Sequence, residues 1–502
     1  MSRNIVIFSD GTGQAGGLLP DETRSNVYKL FRAARVCPDT SIDPAHQLAF
    51  YDPGLGSKSD GSEFKTSWGR WVYNLLSQAT GLGITKNIVD CYAAIIRMWQ
   101  PGDRIFLIGF SRGAYTVRCV AGVLKLCGIP TRAGPDEPLK RDPVSARAIA
   151  AEAVKHVYQF GSSIKGDPYR EVRRELADRF RERHASAHPK APERSNGAPY
   201  FIGVWDTVAA LGLTVQRILA LGAAVVLVVA ILAGMADLIL SRTSLGRHVD
   251  ISLFWRSFWT LLAVVGVGGL IAYLVTHVKF ATGVSTPWWK TLHITGWRME
   301  FYDTELDPNV RFARHALSID ENRKDFDRVK WTSHGQQHPE IEGEAGLIWL
   351  KQVWFAGVHS DVGGSYAEND SRLSDIALDW MTQEFSSLPH PLLVDRSTLH
   401  LWPSSDGPQH DERKSTVAGW PRWVMQLLTR FWRPEQLGWT PGIRQIPKDA
   451  PLHPTVLERF RLPAILAYDE MVPYRPIALQ GHEEVADFYS ERVPLPDKNA
   501  PS

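Results

Sequence analysis

The sequence predicts an α/β fold, a mostly parallel sheet with helices on both faces, and three observations carry that reading. Short apolar runs alternate with helical patterns from residue 4 onward. Several of these runs end in Asp or Gly, residues with which a chain leaves the carboxyl edge of a sheet. Further on, two uncharged stretches interrupt the alternation and predict an inserted helical hairpin.

Taken in order, residues 4–9 (NIVIFS) read as the first strand and end in Asp10-Gly11-Thr12-Gly13. Asn26 to Ala34 reads as a helix. Leu48 to Tyr51 is a second strand, ending in Asp52-Pro53-Gly54. Ile84 to Trp99 places Ile84, Ile88, Cys91, Ile95 and Met98 on one helical face, and Pro101-Gly102 closes it. The apolar run Ile105 to Ile108 follows and ends at Gly109-Phe110-Ser111-Arg112-Gly113. A helical pattern through Tyr115, Val117, Val120 and Leu124 comes next. Residues 168–186 are a charged surface helix, with Val172, Leu176 and Phe180 on its buried stripe. Ser186 to Pro199 reads as a polar linker, Tyr200 to Val204 as a strand ending in Trp205-Asp206-Thr207. Leu347 to Val358 carries another strand, ending at His359-Ser360-Asp361, and Leu373 to Met381 a helix. Residues 404–418 read as a loop, and Trp420 to Arg433 as a basic, aromatic amphipathic face, packed on its own domain in preference to lying at a membrane surface.

The chain has 502 residues, enough for two or three domains. Its formal net charge of +2 gives no global field for nucleic acid. Cys37, Cys91, Cys119 and Cys127 show no C-x-x-C spacing and read as reduced thiols, not as a disulfide framework or zinc site. The opening MSRNIVIFSDGTG has too short an apolar stretch for a secretory signal.

The uncharged stretches are Ile218 to Ala236 and Ser257 to Thr276, each of the length that crosses a hydrocarbon core as a helix. Trp255, Trp259 and Tyr273 lie near their ends, and Trp288 and Trp289 follow, as in an interfacial belt. The expectation is a transmembrane hairpin. Flanking and loop Arg and Lys balance, so the positive-inside count leaves orientation open. The start of the chain favours both soluble parts in the cytoplasm.

Strand, G-x-S-x-G and helix in succession are the context of a nucleophile elbow. Gly109 and Gly113 remove bulk on either side of the turn, and Ser111 is held at the strand end. A serine hydroxyl needs a base, and the base an orienting acid, in the chain order Ser, Asp, His for this kind of sheet. Asp206 and His359, each at the end of an apolar strand, supply that order. His315 and His453 are rival bases, and Asp361 orients either the imidazole or its loop. The backbone N–H of Arg112, with one from Gly11 or Thr12, is the expected oxyanion hole. Asp10 either braces that loop or, with Asp206 or Asp361, holds a metal in a phosphohydrolase.

These residues bring a family into view. The chain resembles the α/β-hydrolase-like family that includes the type VI secretion phospholipase effectors. The matching pieces are FSDGTGQ, SNVYKLFRAA, YDPGLG, GDRIFLIGFSRGAYTVR, FIGVWDTVAALG, ARHALSIDENR and VWFAGVHSDVGGSY, in the family's order. The opening motif reads DGTGQ where the family commonly has DGTWN, and the hydrophobic hairpin is not a general family feature. Beyond residue 385 the match is loose. The resemblance implies a Ser-Asp-His lipase site on Ser111, Asp206 and His359, with phospholipid as substrate and no cofactor.

The resulting expectation is a membrane-associated serine hydrolase of acyl esters, a phospholipase or lipase, without nucleic-acid partners. Residues 1–212 and 281–390 form the hydrolase domain, 213–280 the hairpin, and 391–502 a C-terminal extension. The alternatives are a metal-dependent phosphohydrolase centred on Asp10, and a membrane-anchored binding protein with a decayed site.

Overall fold

The computed structural model describes residues 2–11, 23–54, 82–161, 166–208, 215–241, 252–294, 306–326, 328–329, 331, 347–412 and 439–490. Its centre is a six-stranded sheet of β1 (Asn4–Ser9), β2 (Gln47–Asp52), β3 (Arg104–Phe110), β4 (Pro199–Trp205), β5 (Phe312–Ser318) and β6 (Leu350–Phe355). The spatial order is β2-β1-β3-β4-β5-β6, and every pairing is parallel. All residues of β1, β4 and β5 are buried. That is the expected state of a parallel sheet covered on both faces.

The chain runs outward from β1 to β2, then returns to place β3 on the other side of β1. Right-handed crossovers therefore put α1 (Asn26–Ala34) and α2 (Leu82–Met98) on opposite faces. The helix α3 (Arg112–Cys127) packs on α2, and so does α4 (Pro143–Glu152), started by an Asp142 cap and Pro143. The surface helix α5 (Arg170–His184) lies on α3. The order reverses between β1 and β3, where open α/β sheets bind ligands at the carboxyl edge. Gly11 and Ser111 lie there, one beyond each strand.

One expectation changes and one strand is new. Ser186 to Pro199 is not a linker: Ala187–His188 and Ala191–Ser195 pair as a small hairpin. Asn196 ties it to the body through both the N–H and the C=O of Ile129 (2.7 and 2.9 Å). The strand β5 was hidden by its polar centre, since Arg314 and His315 are fully buried. Arg314 is tolerated there because Glu384 pairs with it.

The inserted segment forms α6 (Val215–Ser241) and α7 (Ser252–His277), packed side by side along Val229, Ala233 and Phe258. Among the described residues one stretch is long and apolar enough to cross a membrane, Phe254–Val275, with a mean hydropathy of 2.2 and 6% of it buried. In α6 the described apolar stretch, Val225–Ile239, is shorter.

After α8 (His359–Gly363) and α9 (Arg372–Ser386), the C-terminal part lies against the β6 edge. Trp354 N–H donates to Pro451 O and Trp354 O accepts from His453 N–H, both at 2.9 Å. Val456 and Phe460 of α10 (Pro454–Arg461) then close a second small core over Leu317, Ile319 and Trp354. The expected amphipathic face of Trp420 to Arg433 lies outside the described residues.

Candidate active site

Ser111 adopts φ 57° and ψ −122°, a conformation that costs an L-residue energy and turns the chain sharply from β3 into α3. The turn is possible only with glycine on both flanks. A Cβ on Gly109 would come within 2.7 Å of Ala114 N, and one on Gly113 within 2.0 Å of Ser9 O. Ser111 N–H donates to Trp205 O (3.1 Å), so the elbow is tied to the end of β4. Arg112, the first residue of α3, presents a backbone N–H that has no acceptor within the helix. Burial pushes its guanidinium down to about 10.

Asp206 follows β4 and His359 opens α8, and the two meet: His359 Nδ1 lies 2.6 Å from Asp206 Oδ2. Both are buried. Asp206 also has a positive φ, 32°, and its Oδ1 accepts from Ser318 N–H (3.2 Å). Burial alone would raise its carboxyl. The charge of Arg444 and the hydrogen bond from His359 outweigh burial and hold it well below the usual carboxylate range.

With Nδ1 facing the carboxylate, Nε2 is the free basic nitrogen of the neutral ring. It is buried without a hydrogen-bond partner among the described residues. The ring lies between Phe110, one residue before Ser111, and Phe326, with centroids at 4.7 and 5.4 Å. The His359 backbone N–H donates to Glu321 (3.1 Å), which grips Arg323 through both carboxylate oxygens (2.7 and 2.9 Å). Glu412 pairs with Arg323 in turn.

The rival bases have other work. His315 accepts from Thr207 N–H (3.3 Å), and burial pushes its imidazole down to about 3. His453 caps α10 by accepting from Thr455 N–H, and burial lowers it to about 4. Asp361 does not touch the His359 ring. It accepts from Val358 N–H (3.0 Å) and pairs with His410 Nδ1 (2.6 Å), so it orients the loop.

Asp10 is a brace. Its Oδ2 accepts from Ser25 (2.6 Å) and Tyr51 (2.7 Å), its Oδ1 from Gly11 N–H (2.7 Å). Ser25 also caps α1, so one carboxylate joins β1, β2 and α1. Burial raises the Asp10 carboxyl to about 6. The Gly11 N–H is thus engaged, and Thr12 lies outside the described residues. Gly11 still permits close approach: a Cβ there would lie 3.4 Å from that of Ser111. The carboxylates suggested for a metal are each filled by protein donors, and no group of three metal-binding side chains gathers among the described residues.

One contact had no signal in the sequence. Arg444 donates through its terminal nitrogen to Asp206 Oδ2 at 2.8 Å, from 238 residues away.

A solved chain, the crystal structure of an uncharacterized protein from Pseudomonas aeruginosa, aligns with 80% of this chain and 48% of its own, at 16% identity and a TM-score of 0.32. An uncharacterized protein of Saccharomyces cerevisiae is 28% identical over 141 residues, 28% of this chain. The chain matches only 19% of that relative's length and about half of the solved chain. A family model described as the type VI secretion phospholipase effector Tle1-like catalytic domain matches residues 3–249 and 278–384, the span that holds Ser111, Asp206 and His359. The chain belongs to this family of phospholipase effector catalytic domains.

Proposed function

We propose that the protein is a membrane-associated serine hydrolase of acyl esters, acting on phospholipid. The observation that carries this is the buried Asp206–His359 pair with its open Nε2, together with a serine held at a strained strand-to-helix turn on the same carboxyl edge of the sheet. In this reading Ser111 Oγ attacks the ester carbonyl and gives its proton to His359 Nε2. Asp206 holds the imidazole and stabilises the imidazolium. The oxyanion lies at the N-terminus of α3 against the Arg112 N–H, while the Gly11 N–H is engaged by Asp10. The imidazolium protonates the leaving alkoxide, and a water activated by His359 then releases the acid from Ser111.

Family membership supports lipid as the substrate class. The inserted helices support the membrane. Val264, Val265, Leu270 and Val275 of α7 are 65, 46, 56 and 78% exposed, an apolar surface that water does not tolerate over such a length. Phe280, Trp288 and Trp289 are exposed just beyond α7, where an interfacial aromatic belt would sit. The hairpin spans the bilayer with both soluble parts on one side of it and holds the site near its substrate.

The test is turnover of phospholipid in mixed micelles by the full chain, with labelling by a fluorophosphonate. Ser111→Ala should lose both labelling and at least about 10⁴-fold in rate. A chelator should leave turnover intact, because the Ser–His pair generates its own nucleophile. A folded Ser111→Ala protein with near-normal turnover would exclude this mechanism. Activity lost to chelator and restored by a divalent cation would favour the phosphohydrolase.

A further inference from the structure

Arg444 belongs to a segment outside the family match, with no regular secondary structure of its own. It is nevertheless anchored at several points. Gly442 N–H donates to Asn322 O (2.8 Å) and Lys324 N–H to Thr440 O (2.9 Å). Further along, residues 451–453 follow the edge of β6 at Trp354. Trp439 packs edge-on to Phe326, which packs on His359. These contacts fix the segment alongside the loop after β5 and carry the Arg444 side chain inward to Asp206.

The Arg444 side chain is 3% exposed. Its Nε and its other terminal nitrogen are buried without a hydrogen-bond partner among the described residues. A guanidinium held this way is costly as structure, because most of its donors are unused and its charge is out of water. Its one strong contact is the carboxylate oxygen that also receives His359 Nδ1. Arg444 and the imidazole therefore share one anionic atom.

We propose that Arg444 is a positioning residue of the hydrolase, so that the active site is incomplete without the segment C-terminal to the matched domain. This rests on the triad reading above. Arg444 acts in two ways through Asp206. It fixes Oδ2 of the carboxylate while Ser318 N–H holds Oδ1, which limits the ring to one orientation. It also offsets part of the carboxylate's charge, so the Asp206–His359 pair releases its proton at lower pH and the base is available sooner. Other charges near the pair are Glu321, Arg323 and Glu412, with Arg118 and Arg328 nearer His315. None of them bonds to the Asp206 carboxylate, so the substitution of Arg444 isolates its contribution.

The experiment is the pH profile of kcat/KM for the full chain in detergent, with p-nitrophenyl butyrate as probe. In Arg444→Met the acid limb should move up by about one pH unit, and kcat should fall about 10- to 100-fold with KM little changed. Arg444→Lys keeps the charge and should return the limb toward the wild-type position. A merely structural role would lower activity at every pH without moving the limb. An unmoved limb in a folded Arg444→Met protein overturns the proposal while leaving Ser111 as nucleophile. Undiminished turnover by Ser111→Ala overturns the triad and this proposal together. Should Arg444→Met not fold, Arg444→Gln is measured in its place with the same shift expected. Failure of both neutral variants to fold would assign Arg444 a structural role and overturn the proposal.

Discussion

Asp206 and His359 are 153 residues apart in the chain and 2.6 Å apart at the site. If they act with Ser111 as a unit, His359→Ala should cost as much as Ser111→Ala, about 10⁴-fold or more, and the double variant little beyond either. Inactive His315→Ala or His453→Ala proteins beside an active His359→Ala would reassign the base. A second residue-scale prediction concerns the buried acids beneath the sheet edge. Burial raises Asp10 to about 6 and Asp52 to about 8, against an ordinary value of 3.8. The folded state therefore holds protons that the unfolded chain has released. Stability is fully present below about pH 4 on account of these groups and is lost as pH rises toward 8. Asp206 has the opposite shift and acts only in stronger acid. Asp52→Asn should flatten the decline between about pH 5 and pH 8, on the order of 2 kcal/mol or more, read as thermal midpoints in detergent. The same pH dependence in wild type and Asp52→Asn would refute it. Ser111, Asp206 and His359 are legible in the sequence because each follows a strand at the carboxyl edge of the sheet, where side chains reach the crevice. Arg444 was not, because an irregular segment gives no periodicity by which to place a side chain.

At the scale of elements, the turn from β3 to α3 depends on how closely α3 approaches β1. A methyl on Gly113 would sit 2.0 Å from Ser9 O and 2.6 Å from Asp10 O. Backbone, unlike a flexible side chain, cannot yield to it. Gly113→Ala should therefore destabilise the protein by roughly 3 kcal/mol or more and shift the elbow. A denaturation midpoint near the wild type would show that the approach is looser than the geometry implies. The same scale shows where sequence patterns succeed. Asn26 to Ala34 reads as a helix and α1 spans those same residues, with Ser25 accepting from Tyr28 N–H as its cap. By contrast β5 carries Arg314 and His315 among buried alanines and leucine, so neither alternation nor an apolar run marked it as a strand. Its partners, Glu384 on α9 and Thr207 after β4, come from distant parts of the chain. Only the assembled fold makes those polar side chains acceptable inside.

For the whole molecule, the decisive question is how the hairpin relates to the sheet that contains the site. The two helices pack chiefly on each other, through Val229, Ala233 and Phe258, and leave their other faces bare. Transfer of apolar surface from water is worth about 25 cal/mol for each Å², so a bare surface of about 1,000 Å² corresponds to about 25 kcal/mol. No salt-sensitive surface contact approaches that value. The full chain should therefore partition with membranes and resist extraction by high salt or alkaline carbonate. The helices run side by side and are joined by residues 242–251, so the start of α6 and the end of α7 fall at the same end of the hairpin. Replacing residues 217–279 by a short flexible linker should leave β4 and β5 paired and the six strands closed. The shortened protein should be soluble, label with a fluorophosphonate at Ser111, and hydrolyse a water-soluble short-chain ester at close to the full-length rate. Its loss should be confined to bilayer substrates. A full-length protein that stays monomeric in buffer without detergent would defeat the membrane assignment. A shortened protein that cannot fold would make α6 and α7 part of the structural core, even though the sheet they interrupt is complete without them.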